Sequence, residues 1–587
     1  MKKKETRMEN IKKQIKNENI INMLILLIAT IFICLPLLNK NLDMSYDDGI
    51  QHIARLMGTE QSISEGQKFP VIMSNFCNGF GYSWNIFYSP FTAFVPLIFR
   101  LFGESFITCI KLFMFVMVFT SGVSMYFFTK EVTKNKKIAV LAGVFYIFAP
   151  YRFTDMYARN ALAELTTFSF LPMIFNGLYG VLKEKPKKEY LLILGSVFLL
   201  LTHTVITMYV AIICFIYTLT QSKKLLNKKI RNKIIFSLIF IIIITSFFWV
   251  PLLEHKFGAN YEVFKPGRME RPEVLIFFKL HLSELFVTPK ENIMTYEIGW
   301  PSIILLLLTP IVIKKIKKKR KKTDFYRFYN FSLIAGLTCT IMTLKIFPFE
   351  HLPAILKMLQ FSFRLLEFSS FFFAFVCAVN AYILIEKIKN IEGNKLTRGI
   401  QYADITVIAA ILMVLSSTFI PHLRYVENLD ENKIWPAVPV TSSTGRVHAG
   451  CASFEYLPCN AFENRSYIET RENKVLVLEG NGEINEEQKN GTNLEFKISS
   501  EEETTIELPY IYYLGYNVML EQNGTITNIE TFETENGFIG IRLSPTQNGI
   551  IKISYTGTML MKIFRVVSIL GIVTLVFLYI KSLKLIY

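Results

Sequence analysis

Apolar residues in this chain come in long blocks separated by short, basic, polar runs. The blocks fall at about 20–38, 106–129, 138–151, 165–182, 190–203, 204–220, 234–252, 299–313, 328–347, 364–386, 401–420 and 560–580. Most approach the ~20 apolar residues that carry a helix across a bilayer, and a helix is one of the few structures that satisfies its own backbone in lipid. The pattern predicts a polytopic α-helical membrane protein with about 12 transmembrane helices. The first block lacks a small-residue cleavage site and reads as a signal anchor. The stretch FYSPFTAFVPLIFRLFG, 87–103, is expected to lie on the outer membrane surface. Counting it as a span would carry Lys134, Lys136 and Lys137 to the outside.

Composition strengthens this reading. The 587 residues are 51% hydrophobic and 14% aromatic, above the range of soluble domains. The net charge of +17 does not point to nucleic acid, because 36 of the 64 Lys and Arg residues sit in seven runs between or beside the apolar blocks. With every run cytoplasmic, as the positive-inside rule prefers, twelve spans close with both termini inside. Four regions are then extracytoplasmic: 39–105, 152–164, 253–298 and 421–556. The expected domains are a basic N-terminus (1–19), a transmembrane domain (20–420), an extracytoplasmic domain (421–556), and a last helix with a short tail (557–587).

The fourth outer region changes character. It holds 20 acidic against 10 basic residues, and runs such as NLEFKIS and GFIGIRL alternate between Asn-Gly turns at 481–482, 490–491, 523–524 and 536–537. That spacing predicts a β-sandwich-like domain before the last helix. YIYYLGY, 510–516, suits core aromatics better than a sugar-stacking surface. Of eight cysteines, five lie in apolar blocks; Cys451 and Cys459 leave a disulfide open without deciding it. No Cys or His spacing matches a zinc site.

Four charged groups fall near the outer surface. In SYDDGIQHIARL, 45–56, a helix starting near Asp47 places Asp48, His52 and Arg55 on one stripe. A plain helix cap accounts for the acids but not for His52 and Arg55. PYRFTDMYARNALAEL, 150–165, supplies Arg152, Asp155, Arg159 and Glu164. His203 stands alone in LLLTHTVITMY, where a structural hydrogen bond is the simpler role. LQFSFRLLEF brings Arg364 and Glu367 into the tenth span. Ionisable groups at membrane depth are costly and face a polar cavity or one another, so four clusters on one side favour a shared cavity.

Outside the membrane there is no ATP, and the chain has no phosphate-cradling glycine loop. An activated substrate must therefore arrive on a lipid, and a polyprenyl-phosphate sugar fits. Arginines pair with its phosphate as charge collects on the leaving group, and a carboxylate takes the acceptor's proton. Asp48 is the expected base, with Asp47 and His52 beside it. Arg55, Arg152, Asp155, Arg159, Glu164, His203 and Arg364 are the expected substrate-binding residues, Arg159 and Arg364 for phosphate.

The segments DDGIQHIAR, FPVIMSNFCNGFGYSWNIFYSPF, YIFAPYRFTDMYARNALAELTTFSFLP, LLLTHTVITMY, LQFSFRLL and EYLP occur in this order across most of 40–460. Here the chain resembles bacterial membrane proteins named for a pyruvoyl-tetrahydropterin-synthase-related membrane domain, which look like members of the GT-C glycosyltransferase superfamily. The pterin-synthase name implies no activity here. The resemblance implies a GT-C-like plan, with a catalytic acid in the loop after the first span opposite a lipid-phosphate-sugar site; Asp48 rather than Asp47 falls on that acid. Asp47 and Asp48 offer only part of an oxygen shell for Mg or Mn, so no obligate cofactor is expected and a divalent cation stays open. The expected activity is inverting transfer of a sugar to a cell-envelope glycan or teichoic-acid-type acceptor on the outer side of the membrane, by a protein whose partner is the lipid bilayer. The competing readings are a transporter or flippase of lipid-linked saccharides and a non-catalytic envelope scaffold.

Overall fold

The structure is a computed structural model that describes residues 2–269, 271–289, 292–320, 323–391, 401–427, 451 and 454–584. All twelve expected intervals are helical along most of their length. Among the described residues, six helices qualify by length and apolar composition to cross a membrane: Asn17–Leu38, Phe106–Thr133, Lys228–Gly258, Ser362–Ile388, Tyr402–His422 and Met559–Leu583. A seventh forms if Lys136–Ile147 and Pro150–Ala158, bent by 44°, make one broken span. Others are short: Lys188–Leu200 has 13 residues and Thr204–Leu219 has 16, below the ~20 that a straight crossing needs. The expected surface helix at 87–103 is two short pieces, Phe91–Phe94 and Pro96–Phe102, with Ile98, Leu101 and Phe102 exposed.

The chain divides into two compact units. The first comprises 1–47, 111–239 and 270–429; the second comprises 48–110, 240–269 and 430–587, of which 430–450 lies outside the described residues. The long loop that follows the first span therefore belongs to the same unit as the β-strands.

In the first unit, Ser362–Ile388 is the most buried of the six membrane-capable helices. Phe128, Phe175, Phe328, Phe371 and Phe375 pack edge-to-face or tilted, with centroids 5.0–6.4 Å apart. That range is where aromatic quadrupoles attract. One polar insertion there is satisfied: Tyr329 donates to Asn380 Oδ1 at 2.6 Å, and Asn380 Nδ2 donates to Leu305 O and Thr309 Oγ1, both at 2.9 Å.

Among its described residues the second unit carries nine antiparallel strands: β1 (Leu476–Glu479), β2 (Glu483–Asn490), β3 (Asn493–Ser500), β4 (Thr504–Ile511), β5 (Tyr516–Gln522), β6 (Thr525–Ile529), β7 (Thr531–Glu533), β8 (Phe538–Leu543) and β9 (Thr546–Tyr555). They form two sheets, ordered β1-β4-β8-β7 and β2-β3-β9-β5-β6. Alternation drives the second sheet: Leu494, Phe496 and Ile498 of β3 and Ile551 and Ile553 of β9 are buried. Asn523-Gly524, with φ of 52° and 76°, closes a two-residue hairpin between β5 and β6, the turn that Asn-Gly favours because both residues need positive φ. Tyr510, Tyr513 and Tyr516 are core residues.

A buried pair departs from the alternation. Glu507 on β4 and Arg471 are both fully buried, 2.9 Å apart, and Glu507 also accepts from Tyr467 and Thr534 hydroxyls at 2.9 and 2.7 Å. Glu533 on the edge strand β7 has no such help. Burial raises its carboxyl to about 7, and its Oε1 has no hydrogen-bond partner among the described residues. An unfolded Glu titrates near pH 4.3, so between there and about 7 the folded state keeps a proton that the unfolded chain releases. This contribution is fully present below about pH 4 and is lost as pH rises toward 7. Glu533→Gln is therefore expected to flatten the fall in thermal midpoint between about pH 5 and pH 8. An unchanged slope would show that Glu533 does not carry it.

Candidate active site

The centre of the first unit's charge is the segment 150–164. Proline disfavours α geometry in the residue before it, and Ala149 is extended (φ −60°, ψ 123°), which breaks the apolar helix before Pro150. One α turn, Pro150–Phe153, leads into one π turn, Thr154–Ala158, and Asn160 then takes a left-handed φ of 50° before the helix Leu162–Val181. Single π turns recur at functional sites because they re-aim side chains. Here the break turns Asp155, Arg159 and Glu164 toward one another. Asn160 Nδ2 donates to the carbonyls of Asp43 and Tyr46, which ties the break to the segment ending in Asp47.

Arg159 is the hub. Its guanidinium lies 2.7 Å from Glu164 Oε2, 3.6 Å from Asp155 and 3.4 Å from Asp47 Oδ2. Arg364 Nε meets the same Glu164 oxygen at 3.1 Å, while its Nη1 donates to Leu359 O and Gln360 Oε1. Tyr151 donates its hydroxyl to the other Glu164 oxygen, and Thr167 bonds Glu367. His203 Nδ1 accepts from Ile206 N at 3.4 Å, capping Thr204–Leu219, and the ring is within electrostatic reach of Arg364 and Glu164. Asp47 is the cluster's opening, with its side chain 39% exposed against 2% for Arg159 and Glu164. It adopts a left-handed φ of 50°, costly for a residue other than glycine.

Arg152 stands apart. It donates to Tyr146 O, lies 4.2 Å from the Phe168 ring centroid, and leaves Nη1 without a partner among the described residues. Asp155 accepts no hydrogen bond among the described residues and is held by the charge of Arg159, 3.6 Å away, with Arg364 and Arg152 in electrostatic reach. Buried polar atoms in this state are where a cluster stores reactivity or awaits a ligand.

A cavity of about 380 Å³ adjoins the cluster, lined among others by Tyr46, Phe278, Lys279, Glu284, Tyr296 and Arg424. Tyr296 links the two: it packs on Phe363 at 5.1 Å, over which Arg159 lies at 5.4 Å. Arg424 stacks on Tyr46 at 3.7 Å, and Lys279 is 3.5 Å from Glu350. Tyr46, Lys279, Tyr296 and Arg424 were not singled out by sequence reasoning. Arg424 shared one signal with those that were, a charge a few residues beyond the end of an apolar block.

Asp48, His52 and Arg55 belong to the second unit. Asp48 precedes the helix Gly49–Ser64 but makes no side-chain cap hydrogen bond to it, so the plain capping role lacks its contact. His52 and Arg55 are buried on that helix. Arg55 is a clamp for the WNIFYSP segment. It donates to Asn85 Oδ1 at 2.8 Å, to the carbonyls of Tyr88 and Ser89 at 3.2 and 3.0 Å, and stacks over Tyr88 at 4.6 Å. Burial lowers its guanidinium to about 10, which leaves it charged at neutral pH. Among the described residues no group of three or more His, Cys, Asp or Glu side chains is arranged to hold a metal.

Helices long and apolar enough to span a bilayer, with arginines and carboxylates buried against them, define a membrane protein with charge at depth. The chain belongs to the 6-pyruvoyl-tetrahydropterin synthase related family of membrane proteins, whose model matches residues 86–426. It is 24% identical to an uncharacterized protein of Lactococcus lactis subsp. cremoris (strain MG1363), over 95% of each chain. Among solved structures it is similar to the Archaeoglobus fulgidus oligosaccharyltransferase in the apo form, at 12% identity and a TM-score of 0.41, over 70% of this chain and 57% of that one.

Proposed function

We propose that this protein is a glycosyltransferase that moves a sugar from a polyprenyl-phosphate donor to a cell-envelope glycan or teichoic-acid-type acceptor on the outer side of the membrane. The observation that carries the reading is the Asp47–Arg159–Glu164–Arg364 cluster, open at Asp47 and adjoined by an aromatic, cationic cavity. Aromatic faces suit a sugar ring, and guanidinium and ammonium groups suit a phosphate.

In the proposed step the acceptor hydroxyl oxygen attacks the anomeric carbon and its proton passes to a carboxylate base, the role for which the sequence offers Asp48. The bond from that carbon to the phosphate oxygen breaks, and polyprenyl phosphate leaves with the electron pair. One direct displacement inverts the configuration. Arg159 and Arg364 share Glu164, so their charge is already partly met. Arg424 and Lys279 are the cavity's own cations and take the phosphate first, with Arg159 behind them through Tyr296 and Phe363. Asp47 holds Arg159 at the rim.

The test is transfer itself: membranes supplied with a polyprenyl-phosphate sugar should form a new glycosidic bond. Sugar passage across sealed vesicles without that bond would overturn the reading in favour of transport. The double variant Arg424→Gln, Lys279→Gln is expected to raise KM for the donor about 10-fold or more, since a charge-assisted contact contributes about 1.5–3 kcal/mol. An unchanged KM would remove the phosphate from this cavity.

A further inference from the structure

Cys77 and Cys451 are 374 positions apart in sequence, yet within the second unit their sulfurs lie 3.2 Å apart and both residues are buried. We infer that these two thiols are oxidised to a disulfide in the mature protein. The inference rests on the proposed extracytoplasmic placement of the second unit, since disulfides persist in oxidising compartments.

Both backbones are already fixed for this. Cys77 begins a run of left-handed residues, Cys77, Asn78 and Gly79 with φ of 51°, 57° and 83°. The turn is closed by Phe80 N donating to Cys77 O and Gly81 N to Phe76 O, both at 3.0 Å, at the end of the Met73–Tyr82 bridge. A left-handed cysteine is disfavoured locally, so the surrounding structure holds the side chain where it points. Cys451 sits in a second turn, where Phe454 N donates to its carbonyl at 2.8 Å. Tyr82 joins the two turns: its hydroxyl donates to Cys451 O at 3.0 Å and accepts from Tyr456 N at 3.1 Å. A disulfide needs sulfurs at about 2.05 Å, so closure takes a shift of about 1 Å, within side-chain reach.

Cys459 does not compete for this position. It starts the helix Cys459–Glu463, where its electrostatic neighbours are Lys265 and Glu262. Cys34, Cys109, Cys214, Cys339 and Cys377 lie in apolar helices.

The chemistry is thiol–disulfide exchange with the disulfide of an extracytoplasmic oxidoreductase. The thiolate of one cysteine attacks that disulfide and forms a mixed disulfide, expelling one oxidoreductase sulfur as a thiolate. The second cysteine's thiolate then displaces the remaining oxidoreductase sulfur. Two electrons and two protons leave the pair, and the oxidoreductase becomes a dithiol. Burial pushes the Cys77 thiol well above its ordinary pKa, so the exchange belongs to folding, before the site closes. The bond would tie the 76–81 turn to the segment entering the β-strands and remove loop-closure freedom from the unfolded chain.

The test uses the full chain in its own membranes. Cells are quenched in acid, the protein is denatured and alkylated with a maleimide without reductant, and peptides are read by mass spectrometry. The expected result is a linked Cys77–Cys451 species, two hydrogens lighter than its separate peptides, with Cys459 alkylated. Cys77 and Cys451 both recovered alkylated would overturn the inference. In that case, exposing the detergent-purified protein to oxidised glutathione separates the causes: linkage there means that the compartment is reducing, and no linkage means that the sulfurs are not adjacent.

Discussion

Asp48→Asn is expected to lower sugar transfer by about 10²–10⁴-fold, the contribution of a positioned general base. Asparagine keeps the shape and hydrogen-bonding reach of the carboxylate but cannot hold the acceptor's proton at neutral pH. Folding should be spared, because Asp48 is only half-buried and asparagine matches its size. The measurement is initial rate of transfer at saturating donor, alongside membrane abundance and thermal midpoint. Asp47→Asn is the necessary companion: it removes one charge from Arg159, which keeps Glu164 and Asp155, so its loss should be the smaller of the two. Full transfer by Asp48→Asn would sink the assignment, and a dead Asp47→Asn beside it would move the base one residue back.

Glu164→Gln is expected to destabilise the first unit by about 3–5 kcal/mol, the usual cost of removing one partner from a buried ion pair. Glu164 is 2% exposed and serves Arg159, Arg364 and Tyr151 at once. Glutamine keeps an acceptor for one of them and leaves two guanidiniums in a dry site with half their counter-charge. Detergent-solubilised protein should show a clear fall in thermal midpoint and in yield. The double variant Glu164→Met, Arg364→Met should recover part of the loss, because replacing both partners by apolar groups avoids the uncompensated charge. A midpoint equal to wild type for Glu164→Gln would mean that the cluster is wetter than its burial indicates.

The helical plan was legible because a membrane imposes a simple rule on composition. Every apolar block became helix along most of its length, and most of the basic runs continue as the polar ends of those helices, as in Lys2–Cys34, Lys228–Gly258 and Met559–Lys584. The β-strands were legible for a similar reason: a half-buried strand must alternate, and Asn523-Gly524 must turn. The same rule explains the failure at Glu507. Alternation along TTIEL sends Glu507 to the solvent side, but Tyr467 and Arg471, from the helix Arg465–Thr470 and the residue after it, cover that face of β4. Helices as short as six residues leave no periodic trace.

Within the site, the sequence marked which residues are charged near the membrane, and Arg159, Glu164, Asp155 and Arg364 do meet. It could not order them, because pairing among buried charges depends on ångström distances that spacing does not encode. Adjacent acids show this most plainly. By charge and periodicity alone Asp47 and Asp48 are equivalent neighbours of a span, and only the family resemblance ordered them. In three dimensions a left-handed turn at Asp47 sends one carboxylate to Arg159, while the other begins the next unit's helix. Composition and periodicity by themselves determined that this is a helical membrane protein carrying a β-domain, since burial against lipid or a sheet core acts on every residue of an element. That Arg364 shares Glu164 with Arg159, that Arg55 clamps a loop, and that Cys77 meets Cys451 were decided only by tertiary structure, because these contacts join residues tens to hundreds of positions apart and leave no local pattern.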